Sequence, residues 1–178
     1  MTSARRRQIN RLADLVRTCC DADVPVDVER VVRQLGGSVE SVTDADFEAR
    51  IEKVDDGFRI TLGSPVAENR RRFSIAHELG HLFLHMGYII DPDEWASIEA
   101  YMDSVYFRYG FGAEEYDANE FAGALLMPAE AFEQVAEANR EGRRYAIGPI
   151  ADHFRVSVEA AATRGRWLGF FAWEAGDE

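Results

Sequence analysis

Only two cysteines occur in the 178 residues, and they are neighbours, Cys19 and Cys20. Adjacent cysteines make neither a disulfide framework nor a C-x-x-C metal pair, which fits a reducing compartment. Long apolar runs are missing too. The longest, such as "FAGALLMP" at 121–128, fall far short of a membrane span. Basic charge is scarce: 20 Lys and Arg stand against 32 Asp and Glu, a formal net charge of −12. That balance argues against a broad nucleic-acid interface, which needs a basic footprint to neutralise phosphates. Arg5, Arg6, Arg7 and Arg11 make the start basic, but no apolar segment or small-residue cleavage site follows, so no signal peptide is read. The expectation is a cytoplasmic protein with no membrane partner.

What remains is an ordinary globular composition, 47% hydrophobic, without repeats or low-complexity tracts. A chain of this length is expected to form one domain over 1–178, hiding roughly 70% of its unfolded surface. Such a core needs no metal to hold it, so a metal site here points to catalysis. Apolar spacing predicts a helix over 5–20 and a short one capped by Asp27. "GSVESV" reads as a strand, and "ARIEKVDDGFRITLG" as a hairpin turning at Asp55-Asp56-Gly57. Ser64-Pro65 is expected to start a long helix reaching about His85. Further helices are predicted near 93–107, over "AEEYDANEFAGALLM", from Pro128 onward, and as a C-terminal pair at about 146–168 with Ser157 as a cap. The order predicts an α+β fold: a helical core with a small antiparallel sheet.

Three of the four histidines fall in "RRFSIAHELGHLFLH", residues 71–85. His77, Glu78 and His81 spell H-E-x-x-H. Helical positions four apart differ by about 40° in direction and ~6 Å in height, so both imidazoles can reach one ion. Glu78 points roughly 100° away, beside the metal, where it can take a proton from a water the metal activates. Zinc suits neutral imidazoles and a site with one open position. His85 lies four residues beyond His81, but pairing those two would leave Glu78 nearly a turn from the water, so His85 is read as structural or pocket-lining. Gly80 costs ~1 kcal/mol in a helix relative to alanine and suggests a very close neighbour, such as a helix carrying the third ligand.

A catalytic zinc needs a third protein ligand. "EEYDANEFAGALLMP" offers Glu115, with Asn119 on the same face to hold a ligand histidine from behind. By spacing alone Glu114, Asp117 and Glu120 stay open as alternatives, or the run is a solvated acidic face.

These two segments together resemble the ImmA/IrrE family of zinc-dependent peptidases. The second is close to that family's E-x-x-A-N-x-F-A-x-x-L-L-M-P signature, about thirty residues after the first. Weaker similarity extends to "PVDVERVVRQLG" and "ADHFRVSVEAAATRGRWLG". Ser74, where threonine is common, and Gly123, in a usually Ala-rich turn, are the departures. The resemblance implies a thermolysin-like core in which His77, His81 and Glu115 hold Zn2+, Glu78 is the catalytic base and Asn119 stands behind a ligand. It further implies a protein substrate, a separate helix-turn-helix repressor whose cleavage relieves repression.

Tyr106, Tyr109, Tyr145 and His153 are candidates for stabilising an oxyanion, none of them singled out. The C-terminal stretch imitates a helix-turn-helix, and Arg164 and Arg166 could meet phosphates, though packing on the core is the preferred reading. Against the peptidase stands a reading of another class, a metal-stabilised binding module that sequesters a repressor or toxin without cutting it. The base at Glu78 favours the enzyme.

Overall fold

A computed structural model describes residues 1–43, 45–63, 67–98 and 112–172. Helix α1, Ser3–Cys19, starts under the Thr2 hydroxyl and buries Ile9, Ala13 and Val16 on one stripe. Helix α2, Val28–Gln34, is capped as expected by Asp27, whose carboxylate accepts from Arg30 N. Strands β1 (Gly37–Ser41), β2 (Ala49–Val54) and β3 (Gly57–Leu62) follow. Then come helices α3 (Glu68–Leu84), α4 (Pro92–Ser97), α5 (Ala113–Leu126) and α6 (Ala129–Ala138). A two-stranded hairpin, β4 (Arg140–Glu141) with β5 (Arg144–Tyr145), leads into α7 (Ile147–Phe154) and α8 (Val158–Leu168). This is an α+β fold.

The sheet departs from the antiparallel one expected. Its order is β1-β3-β2, with β2 antiparallel to β3 but β1 parallel to it. β3 is the most buried strand and takes the middle, with Phe58, Ile60 and Leu62 on its core face. Val39, Ile60 and Ile51 stand side by side across the three strands. Ser41 at the end of β1 and Ala49 at the start of β2 both flank Leu62, about two strand spacings or ~10 Å apart. The hairpin is tighter than predicted: Val54 pairs with Gly57, so Asp55-Asp56 alone make the turn. Gly57 is needed there because a Cβ would lie 2.4 Å from the Gly36 carbonyl oxygen.

Helix α3 starts at Glu68, later than expected, with Ala67 as an N-cap that makes no side-chain bond. Ser64 and Pro65 lie outside the described residues, as does the expected helix beyond Ile98. Helices α3 and α5 form the centre of the molecule. Ile75, Leu79 and Leu82 from one and Phe121, Ala122 and Leu125 from the other are all buried. A Cβ on Gly80 would sit 2.8 Å from Ala118 Cα, so the close neighbour that this glycine implied is α5.

The C-terminal pair turns through Arg155 in the left-handed region, and Ser157 caps α8. Phe154 stacks on Phe132 of α6. Arg164 corrects the phosphate-binding reading: it is 4% exposed and points inward. Its Nε donates to Met127 O at 3.0 Å, Nη1 to Glu120 Oε1 at 3.1 Å and Nη2 to Asn10 Oδ1 at 2.8 Å. It ties α8, α5 and α1 together.

Candidate metal centre

Leu79, Leu82, Ile75 and Ala76 hold α3 against the core, and that rotation brings His77 and His81 to the α5 side. On α5, Phe121, Ala118 and Ala122 fix the facing rotation, and Glu115, one turn before Ala118, lies opposite the imidazoles. His77 Nε2 and His81 Nε2 are 3.0 Å apart. Glu115 Oε2 lies 3.4 Å from His77 Nε2, and Oε1 lies 3.2 Å from His81 Nε2. Two ligands of a tetrahedral zinc ion with bonds of ~2.0–2.1 Å are about 3.3–3.4 Å apart. The three donors therefore fit one such ion, and they are the one cluster of that kind among the described residues.

The rings are turned to suit. Asn119 Oδ1 is 3.1 Å from His77 Nδ1 and can only accept, so a neutral His77 keeps its hydrogen on Nδ1 and its lone pair on Nε2. His81 is completely buried, and its Nδ1 lies 2.9 Å from His85 Nδ1. His85 is thus in direct contact with the cluster, a closer role than pocket lining. Spacing of four residues was the signal for it. Glu78 is buried at 3% exposure, and its charge is felt by His77.

Electrostatics mark the cluster. Burial works most strongly against a charged His77, but the hydrogen bond to Glu115, the charges of Glu78 and Glu115, and Asn119 together hold its pKa above the ordinary value. The hydrogen bonds from His77 and His81 push the Glu115 carboxyl far below the usual range. Burial, reinforced by His81, lowers His85 to about 4, so it is neutral at pH 7. One turn upstream, Ser74 Oγ donates to Glu48 Oε1 at 2.8 Å, and Arg70 Nε to the same oxygen at 2.9 Å. This brace ties the entry to β2 to α3 beside His77, and nothing in the local sequence of Glu48 signalled it.

Of the other acidic candidates, Glu114 is exposed, and Asp117 and Glu120 turn to other partners. Asp117 accepts from Arg5 Nε at 2.7 Å, and Glu120 accepts from Asn10 and Arg164. Tyr145 donates its hydroxyl to Glu137 at 3.0 Å, while Tyr106 and Tyr109 lie outside the described residues.

The IrrE N-terminal-like domain family, Peptidase_M78, matches residues 38–165. The chain belongs to this family. Its membership brings a metallopeptidase-like domain and a donor set that could hold a metal. Among solved structures, this IrrE-like chain is similar to a Mycobacterium tuberculosis transcriptional regulator, with a TM-score of 0.60 and 22% identity. The likeness covers 89% of this chain and 46% of that one, so it spans less than half of the neighbour. At that identity it supports the fold alone. No curated protein matches the chain significantly. Among the described residues, no helix is long and apolar enough to cross a membrane.

Proposed function

We propose that this IrrE-like domain is a cytoplasmic zinc-dependent endopeptidase that cleaves a separate helix-turn-helix repressor. The observation that carries the reading is the convergence of His77, His81 and Glu115 at mutual distances of 3.0–3.4 Å, with Glu78 buried beside them. Three nitrogen and oxygen donors on two packed helices, with no fourth donor in the cluster among the described residues, match a catalytic zinc donor set, whose fourth position takes water or substrate. When bound, zinc supplies Lewis acidity, both to polarise a peptide carbonyl and to acidify a water molecule.

The chain's own residues do the rest. His77 and His81 offer Nε2 lone pairs, and Glu115 adds a carboxylate that is ionised across the physiological range. Asn119 fixes the His77 tautomer from behind. Glu78 is the general base: its carboxylate takes the proton of the attacking water and delivers it to the departing amine nitrogen. The partly open His77–Glu115 side gives substrate its approach, since those side chains keep 17% and 25% exposure while His81 keeps none. Family membership supports a protein substrate, and the likeness of the two motifs to ImmA/IrrE peptidases points to a regulator.

The test is Glu78→Gln, incubated with the repressor encoded nearest to it. Loss of cleavage by about 10²–10⁴-fold, with zinc and partner binding kept, is the expected result. A variant that still relieves repression, with no cleaved product from either protein, would establish sequestration instead.

A further inference from the structure

We infer that His85 is a positioning residue that holds His81 in its metal-binding tautomer, as Asn119 does for His77. The inference rests on the reading of His77, His81 and Glu115 as metal ligands. The nitrogen pair His81 Nδ1 and His85 Nδ1 is 2.9 Å apart and lies away from the donor cluster, so one atom must carry a hydrogen and the other a lone pair, whereas the equally close Nε2 atoms of His77 and His81 would share the ion instead. Only two assignments exist for neutral rings. If His85 donates, the hydrogen of His81 moves to Nε2, into the space between the three donor atoms, and blocks coordination. If His81 donates, its Nε2 lone pair faces His77 Nε2 and Glu115, and His85 Nδ1 is the acceptor. The second assignment alone lets His81 join the site.

The placement explains why an imidazole interrupts an apolar run. Leu82 and Phe83 beside it are buried, and His81 has no exposed surface, so water cannot reach Nδ1 to replace a lost acceptor. A ring N–H buried without a partner is costly. Side chains on a helix lean back toward the preceding turn, so a residue four positions on covers the outer nitrogen of His81. His85 is the C-cap of α3, and its own N–H donates to His81 O at 3.0 Å, fixing the ring's base to the residue it serves. The far nitrogen, Nε2, is buried without a hydrogen-bond partner among the described residues, so the Nδ1 contact is the polar bond this side chain makes. In the second assignment its hydrogen stays unpaired, a cost that metal coordination by His81 offsets.

The test compares the full-length wild type with His85→Phe and His85→Leu, which remove the acceptor, and His85→Asn, which restores an oxygen near the place of Nδ1. Zinc affinity is measured by competition with a chromogenic chelator, and the ligand field by the visible spectrum of the cobalt-loaded protein. Loss of an outer partner costs ten- to hundredfold in metal affinity. We expect that loss in the Phe and Leu variants with an altered cobalt spectrum, and recovery to within about threefold in the Asn variant. Long-range proton–nitrogen spectra of the zinc-loaded wild type should find hydrogens on His81 Nδ1 and His85 Nε2. Wild-type affinity in whichever of the Phe and Leu variants folds, or a hydrogen on His85 Nδ1, would overturn the inference while leaving the metal site intact. A wild type that binds no zinc would overturn the site itself, and His85's role with it.

Discussion

Without metal, His77 and Glu115 form an ion pair wherever the imidazole is protonated, and the pH dependence of that pairing sets the cost of metal binding. The His77 pKa is raised from 6.5, so its contribution to stability is full below about pH 6.5 and is lost as pH rises through the higher folded value. The Glu115 pKa is lowered from 4.5, so its contribution is present above about pH 4.5 and is lost as pH falls through the lower folded value. The metal-free pair therefore helps most between those limits. Zinc requires the neutral His77, so zinc-induced stabilisation should grow as pH rises toward that raised value and level off above it. Thermal unfolding with and without zinc should show a clearly larger rise in Tm at about pH 8 than at about pH 5.5. An equal rise at both would contradict it. The histidine pair was legible because helical spacing alone puts two imidazoles on one stripe. Glu115 was not, by spacing: Asp117 and Glu120 are removed as rivals only by Arg5, Asn10 and Arg164, which arrive from α1 and α8.

Helices α3 and α5 must lie very close for a carboxylate as short as glutamate to meet both imidazoles. Gly80 is where that closeness is set, since any Cβ there would press on Ala118 Cα at 2.8 Å and its carbonyl oxygen at 3.0 Å. Both are main-chain atoms on a helix, so the helices themselves must move apart. Gly80→Ala should gain ~1 kcal/mol of helix propensity but lose more to overpacking, a net destabilisation of about 1–2 kcal/mol. Urea denaturation measures it, and zinc affinity should fall in the same variant because the donor separation widens. A stable variant with unchanged affinity would mean that α5 is not held where the close packing puts it. Here the sequence was informative, because glycine is costly inside a helix and needs a reason. The parallel pairing of β1 was not legible: strand patterns give alternation, but which neighbour a strand takes depends on how β3 is buried between the others.

Charge holds the molecule together across long sequence distances. Helix α1 lies before the family-matched range of 38–165, yet it supplies Asn10 and Arg6 to the buried Glu120 and Arg5 to Asp117. Arg164, from the far end of the chain, closes the same network with Glu120. Arg164→Met leaves Glu120 with Arg6 and Asn10 but takes the donors from Met127 O and Asn10 Oδ1, so it should cost about 1–3 kcal/mol in denaturant unfolding. A change under about 1 kcal/mol would show the network to be surface decoration. No local motif announced it, because acid and base stand 44 residues apart and meet only once α8 has packed on α5. One ion shared by two histidines and a glutamate is the centre of the proposed chemistry. X-ray absorption at the zinc edge, on protein loaded and then freed of excess metal, tests it most directly. One zinc per chain, with two imidazole nitrogens and carboxylate oxygen at about 2.0–2.2 Å and no sulfur, is the predicted result. Substoichiometric zinc, or sulfur ligation at about 2.3 Å from Cys19 or Cys20, would contradict it.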